Sequence, residues 1–92
     1  MFEKMKYVLR LYIAGATPKS KNAIENTKAL LEQHFPGNYE LSIVDIYQQP
    51  SLAEGQQIIG APTLIKEYPL PRRMFIGDMS LQQPILSALG LS

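Results

Sequence analysis

The chain has 92 residues, 46% of them apolar and 18% charged, with nine Lys or Arg against eight Asp or Glu for a net charge of +1. This length suits one domain that buries about two-thirds of its unfolded surface, and the near-neutral balance leaves no broad basic field to hold nucleic acid by counterion release. Cysteine is absent and His34 is the lone histidine, which excludes disulfides, thiol redox chemistry, iron–sulfur and zinc-thiolate centres, and a multi-histidine metal site.

No cofactor is therefore expected. Met1–Lys6 lacks the apolar core of a leader peptide, and no apolar run approaches the roughly 20 residues that span a bilayer. The expectation is a cytoplasmic protein with no membrane contact.

Tyr7–Ile13 is apolar on both faces except at Arg10, as a mostly buried parallel strand is. Ala14-Gly15-Ala16-Thr17-Pro18 breaks that pattern, with Thr17 placed to cap a helix and Pro18 at its first position. From Pro18 to Phe35 the residues Ile24, Thr27, Leu31 and His34/Phe35 recur at helical spacing, widened by Ala23 and Leu30, until Pro36-Gly37 stops the helix. Tyr39–Tyr47 reads as a second strand, so the first half is a right-handed strand–helix–strand unit.

Ser51-Leu52-Ala53-Glu54 fits a capping box and predicts a short helix from Ser51 to about Ile59, weakened at Gly55 and ended by Gly60. Pro62 has two readings. It can open a third strand, Thr63 to about Lys66, through a cis Ala61–Pro62 bond, or it can stand at the first position of a helix. Pro69-Leu70-Pro71 forces an extended connection, Met74–Ile76 is a short fourth strand, and Gly77-Asp78 turns the chain. Ser80 is expected to cap a final helix with Leu81, Ile85, Leu86 and Leu89 on one face and Pro84 in the first turn. The order βαβαββα over a single domain, residues 1–92, is that of an α/β thioredoxin-like fold, with Ala61-Pro62-Thr63 where that fold keeps its cis-proline. The loop that holds the catalytic cysteines in redox members is here Ala14–Pro18, so thiol–disulfide exchange is impossible.

No catalytic constellation presents itself, and an atypical enzyme on this scaffold is the weakest reading. Asp45 and His34 each lack a second catalytic group placed by sequence; a structural role is expected for Asp45, and a place at the helix C-terminus for His34. Arg72 and Arg73 beside prolines are either a bidentate grip on a partner's carboxylate or phosphate, or a solvated hairpin tip. Arg10 marks a sheet edge, an ion pair with an acid such as Asp45, or a partner contact.

Leu11-Tyr12-Ile13-Ala14-Gly15-Ala16-Thr17-Pro18, Val44-Asp45-Ile46, Gln49–Glu54, Ala61-Pro62-Thr63-Leu64 and Ile76-Gly77-Asp78-Met79-Ser80 together resemble the KaiB family of circadian clock proteins. The resemblance implies a non-enzymatic protein that docks on a KaiC-type ATPase and modulates its phosphorylation cycle, sequesters KaiA and competes with a sensor histidine kinase carrying a related domain. It also implies fold switching, between a thioredoxin-like monomer and a homo-oligomer, dimer or tetramer, whose C-terminal half is rearranged. Arg10 and Arg73 match basic positions of the family, whereas Asn22 and Ser42 stand where it carries basic residues. The runner-up is a KaiB homologue in stress or metabolic signalling without a full oscillator. Pro62, readable as strand opener or helix start, and Ala88, where clock members often carry glycine, are the expected switch positions.

Overall fold

A computed structural model describes residues 6–55, 62–77 and 79–91. Strand β1 (Tyr7–Ile13), apolar on both faces save for Arg10, takes an interior place in a four-stranded sheet. Its parallel neighbour is β2 (Tyr39–Asp45), in a register running from Tyr7 opposite Tyr39 to Ile13 opposite Asp45. On its other side lies antiparallel β3 (Thr63–Tyr68), which pairs in turn with β4 (Arg73–Ile76), giving the order β2-β1-β3-β4. Helices α1 (Pro18–His34), α2 (Pro50–Ala53) and α3 (Gln82–Ala88) complete the predicted βαβαββα order.

Alternation along the strands divides the core. Leu9, Leu11, Ile13 and Leu64 pack with Ala23, Leu30 and Leu31 of α1 and Ile85, Leu86 and Leu89 at the α3 end. Tyr12 and Ile65 face the opposite way and meet Val44, with Ile46, Ala53 and Met74 around them. Each fully buried aliphatic side chain here contributes about 1.5–3 kcal/mol, so the α1/α3 face supplies most of the stabilisation and the α2 face is the thinner layer.

Helix α1 starts as its sequence dictates. Thr17 Oγ1 accepts the Ser20 N–H at 3.1 Å and Pro18 is the first helical residue. At the other end Phe35 packs against Tyr7, the rings tilted by 41° with centroids 4.3 Å apart. His34 lies in the last turn as expected, and its Nε2 is 3.3 Å from Gln82 Oε1 while Gln82 Nε2 donates to Gln33 Oε1 at 3.1 Å, which ties the start of α3 to the end of α1.

Several expectations need correction. Strand β2 ends at Asp45, two residues short of its predicted end, because the chain turns there, with the Gln48 and Gln49 N–H groups bonded to Asp45 O. The capping box does not cap α2: Gln49 is the N-cap, Pro50 the first helical residue, and no side chain caps the turn. Proline pre-set for N1 fixes the start one residue ahead of Ser51, and Gly55 at φ +76 ends the run after one turn. The rest of the predicted helix, from residue 56 to Ile59, lies outside the described residues, as does Gly60. Ser80 likewise does not cap α3, whose N-cap is Leu81, extended and without a side-chain cap bond. Leu81 is therefore 68% exposed and not on the buried face. Finally, β3 runs to Tyr68, two residues beyond its predicted end.

Pro62 is buried and its carbonyl accepts the Gly77 N–H at 3.1 Å, joining the start of β3 to the end of β4. Its bond to Ala61 falls outside the described residues; cis bonds precede Pro69 and Pro71 in the β3–β4 connection. The α3 C-terminus closes with a Schellman motif. Leu91 N–H reaches Leu86 O at 2.7 Å and Gly90 N–H reaches Ser87 O at 3.1 Å, with Gly90 at φ +71 and Leu91 packed on the core. Residues 82–88 are thus helical, as the thioredoxin-like reading requires and the rearranged alternative does not.

Candidate partner-binding surface

The loop between β1 and α1 is held from beneath by β2. Asp45 Oδ1 accepts the Gly15 N–H at 3.1 Å and the Tyr47 N–H at 3.0 Å, so its carboxylate organises two backbone segments. This is the structural role expected of Asp45. Gly15 sits at φ +78, a conformation that calls for glycine, and a Cβ there would stand 3.3 Å from the exposed Tyr47 ring. The Tyr47 side chain, 74% exposed, covers the loop.

The three arginines singled out by sequence divide between the two sheet faces. Arg72 Nε donates to Glu67 Oε1 at 2.8 Å. Arg10, half-buried on β1, lies on the same face, where Glu67 also raises its pKa, although the Tyr12 hydroxyl is the first cause of that rise. The two groups nonetheless miss hydrogen-bonding geometry, and the buried Tyr12 Oη has no hydrogen-bond partner. An Arg10–Asp45 pair, one of the three readings of Arg10, does not form, because Asp45 lies three register steps away, opposite Ile13, with its carboxylate engaged by backbone. Arg10 is also not at a sheet edge, since β1 has a neighbour on each side.

Arg73 stands on the opposite face. It pairs across the β3–β4 ladder with Lys66, and its Nε would lie 3.9 Å from a Cβ at Gly90, beside the end of α3. Lys66 is only 4% exposed. Burial lowers its pKa first, and the Arg73 charge lowers it further. Sequence reading passed over Lys66. Its signal was one lysine inside the run Thr63-Leu64-Ile65-Lys66, but the register that sets it opposite Arg73 depends on the route through Pro69–Pro71, which residue types do not specify.

Among the described residues no group of three or more His, Cys, Asp or Glu is placed to hold a metal ion, and no helix is long and apolar enough to cross a membrane. A cleft of about 430 Å³ opens between α1 and the segment before α3, lined by Lys19, Asn22, Asn26 and Ser80. Asn22 thus lies exposed on α1.

A mixed sheet of this order, with a capped helix after its first strand and helices on both faces, defines a thioredoxin-like domain, here with a first loop that carries no thiol. The fold is similar to the N-terminal domain of SasA from Synechococcus elongatus, with a TM-score of 0.76, 20% identity and coverage of 95% of this chain and 82% of that one. It is also similar to the thioredoxin Deadhead of Drosophila melanogaster, with a TM-score of 0.71, 15% identity and coverage of 92% and 79%. The KaiB domain model matches residues 10–91. The chain is 46% identical over 88 residues to the circadian clock oscillator protein KaiB of Trichodesmium erythraeum, covering 96% of this chain and 85% of the relative. It is 43% identical over 91 residues to that of Synechococcus elongatus, covering 99% and 89%. The chain belongs to the KaiB family.

Proposed function

We propose that this chain is a single-domain, non-enzymatic clock or signalling protein that binds a KaiC-type ATPase and modulates its phosphorylation cycle. The observation that carries the reading is double: a KaiB match over residues 10–91 and a fold shared with the N-terminal domain of SasA. The shared fold makes a SasA-type sensor histidine kinase the natural competitor for the docking place, with KaiA a further partner. Arg10, Arg72 and Arg73 are the cationic contacts. The thiol-free loop supports binding over redox catalysis.

The same reading includes fold switching between this arrangement and a homo-oligomer with a rearranged C-terminal half, with Pro62 and Ala88 as its pivots. Ala88 is the last residue of α3 and Pro62 opens the turn into β3, so both sit at boundaries where a change of backbone region redirects a whole element.

The test is capture of the host's KaiC-type ATPase on immobilised chain in the presence of ATP, beside an insulin-reduction assay. Complex formation without reductase activity is expected. Failure to capture the ATPase, with or without nucleotide, would overturn the proposal, and thiol-dependent turnover would return the atypical-enzyme reading.

A further inference from the structure

We infer that Lys66 and Arg73 form a carboxylate-binding site on the α3 side of the sheet, one that takes an acidic side chain presented by the protein partner. This rests on the partner-binding reading above and adds to it the chemistry of one contact and a residue that reading lacks.

The two cations are directly opposite each other in the β3–β4 ladder. Like charges in that relation repel, and here the repulsion is not relieved within the described residues. Neither side chain makes a hydrogen bond or an ion pair there. Glu67, next to Lys66 in sequence, points to the other face, where Arg72 holds it at 2.8 Å, and Asp78, the acid nearest Arg73 in sequence, lies outside the described residues. Residues 79–91 include no acid. Nor does either side chain bond a carbonyl at the end of α3, where Ile85, Leu86 and Ser87 accept instead from Leu89, Leu91 and Gly90.

Depth separates the pair from an ordinary exposed basic doublet. Lys66 is 4% exposed, so its aliphatic stem is enclosed by the sheet and helix. Its ammonium nevertheless reaches the surface, since the unpartnered side-chain atoms sealed from solvent are Tyr12 Oη and Thr27 Oγ1. Arg73, on the edge strand, is exposed and frames the approach. The arrangement is a point charge at the base with a planar fork at the rim. A flat carboxylate on a side chain suits it: it can take the Arg73 fork with two parallel bonds while one oxygen meets Lys66. A polyanion does not, because two cations in a chain of net charge +1 offer no extended track along a backbone.

Affinity for the KaiC-type ATPase with ATP should be measured for the full chain and for Lys66→Met, Arg73→Met, the double variant, Arg73→Glu and the control Lys28→Met on the exposed face of α1. Lys66→Met keeps an unbranched stem in the core and removes only the charge. It and Arg73→Met should each weaken binding roughly 5- to 30-fold, and the double variant by little more than either, since both act on one carboxylate. Arg73→Glu should weaken it further by supplying that carboxylate internally, and it keeps the test open should Lys66→Met fold poorly. Lys28→Met should stay within about twofold. Binding by Lys66→Met equal to that of the unaltered chain, or independent and additive losses in the double variant, would overturn the site while leaving the partner reading intact. No binding by the unaltered chain would overturn that reading and the site with it.

Discussion

Asp45 at the end of β2 accepts the backbone N–H of Gly15 at 3.1 Å, across 30 residues of chain, and so fixes the loop at the C-terminal end of β1. The same oxygen takes the Tyr47 N–H at 3.0 Å. Asp45→Ala leaves both donors without this acceptor and should cost about 1–3 kcal/mol. Urea unfolding monitored by circular dichroism reads that loss, and an unchanged midpoint would mean that the loop does not depend on the carboxylate.

Gly15→Ala tests the other partner of this bond. The substitution places a Cβ 3.3 Å from the Tyr47 ring at φ +78. The left-handed conformation alone costs about 1–2 kcal/mol, and the Tyr47 ring, being exposed, can swing away. The loss should therefore stay within that backbone figure, and Gly15→Ala combined with Tyr47→Ala should be no more stable than Gly15→Ala alone. A double variant restored to the stability of Tyr47→Ala would assign the cost to the ring.

Ala88→Gly at the end of α3 weakens helix by about 1 kcal/mol, roughly a fivefold change in a two-state population. Under the proposed fold switching it moves the chain toward the oligomer. Sedimentation at several concentrations and backbone chemical shifts over residues 80–89 report both species. Populations left in place by Ala88→Gly would rule out α3 propensity as the control.

Alkaline titration should show two opposing slopes. The folded pKa of Lys66 is lowered, by burial first and Arg73 second, so between that value and the unfolded 10.5 the unfolded chain binds more protons and stability rises with pH. The folded pKa of Tyr39 is raised, by its 2.8 Å hydrogen bond to Glu32 first, so above the unfolded 10.0 the folded chain binds more protons and stability falls as pH climbs through the folded value. Lys66→Met should abolish the rise and Tyr39→Phe the fall, in urea midpoints measured from pH 8 to 11. A Lys66→Met profile that still rises would assign the effect to another group.

Residue types made much of this fold legible where local chemistry and tertiary packing agree. Thr17-Pro18 set the start of α1, and the apolar run Tyr7–Ile13 set an interior strand, because cap, proline and periodicity point the same way there. The starts of α2 and α3 were misread for one reason. Serine at a plausible N-cap competes with its neighbours, and Pro50 at N1 and an extended Leu81 win once the flanking strands fix where the chain must enter. The arginines were legible as cations but their faces were not, since the ladder between β3 and β4 decides them. That ladder also hid Lys66.

The last turn of the molecule supplies its own reporter. Leu91 lies beyond α3, yet its amide hydrogen is bound to Leu86 O at 2.7 Å, and its side chain rests on the core. That proton can exchange with deuterium only when the Gly90 closure opens, so one resonance at the end of the chain measures how often the helix lets go. Under the proposed fold switching, conditions that favour the rearranged oligomer should change its protection together with that of Leu89, which is bonded to Ile85 O at 3.0 Å. Unequal rates at the two sites would separate fraying of the final turn from cooperative loss of the element.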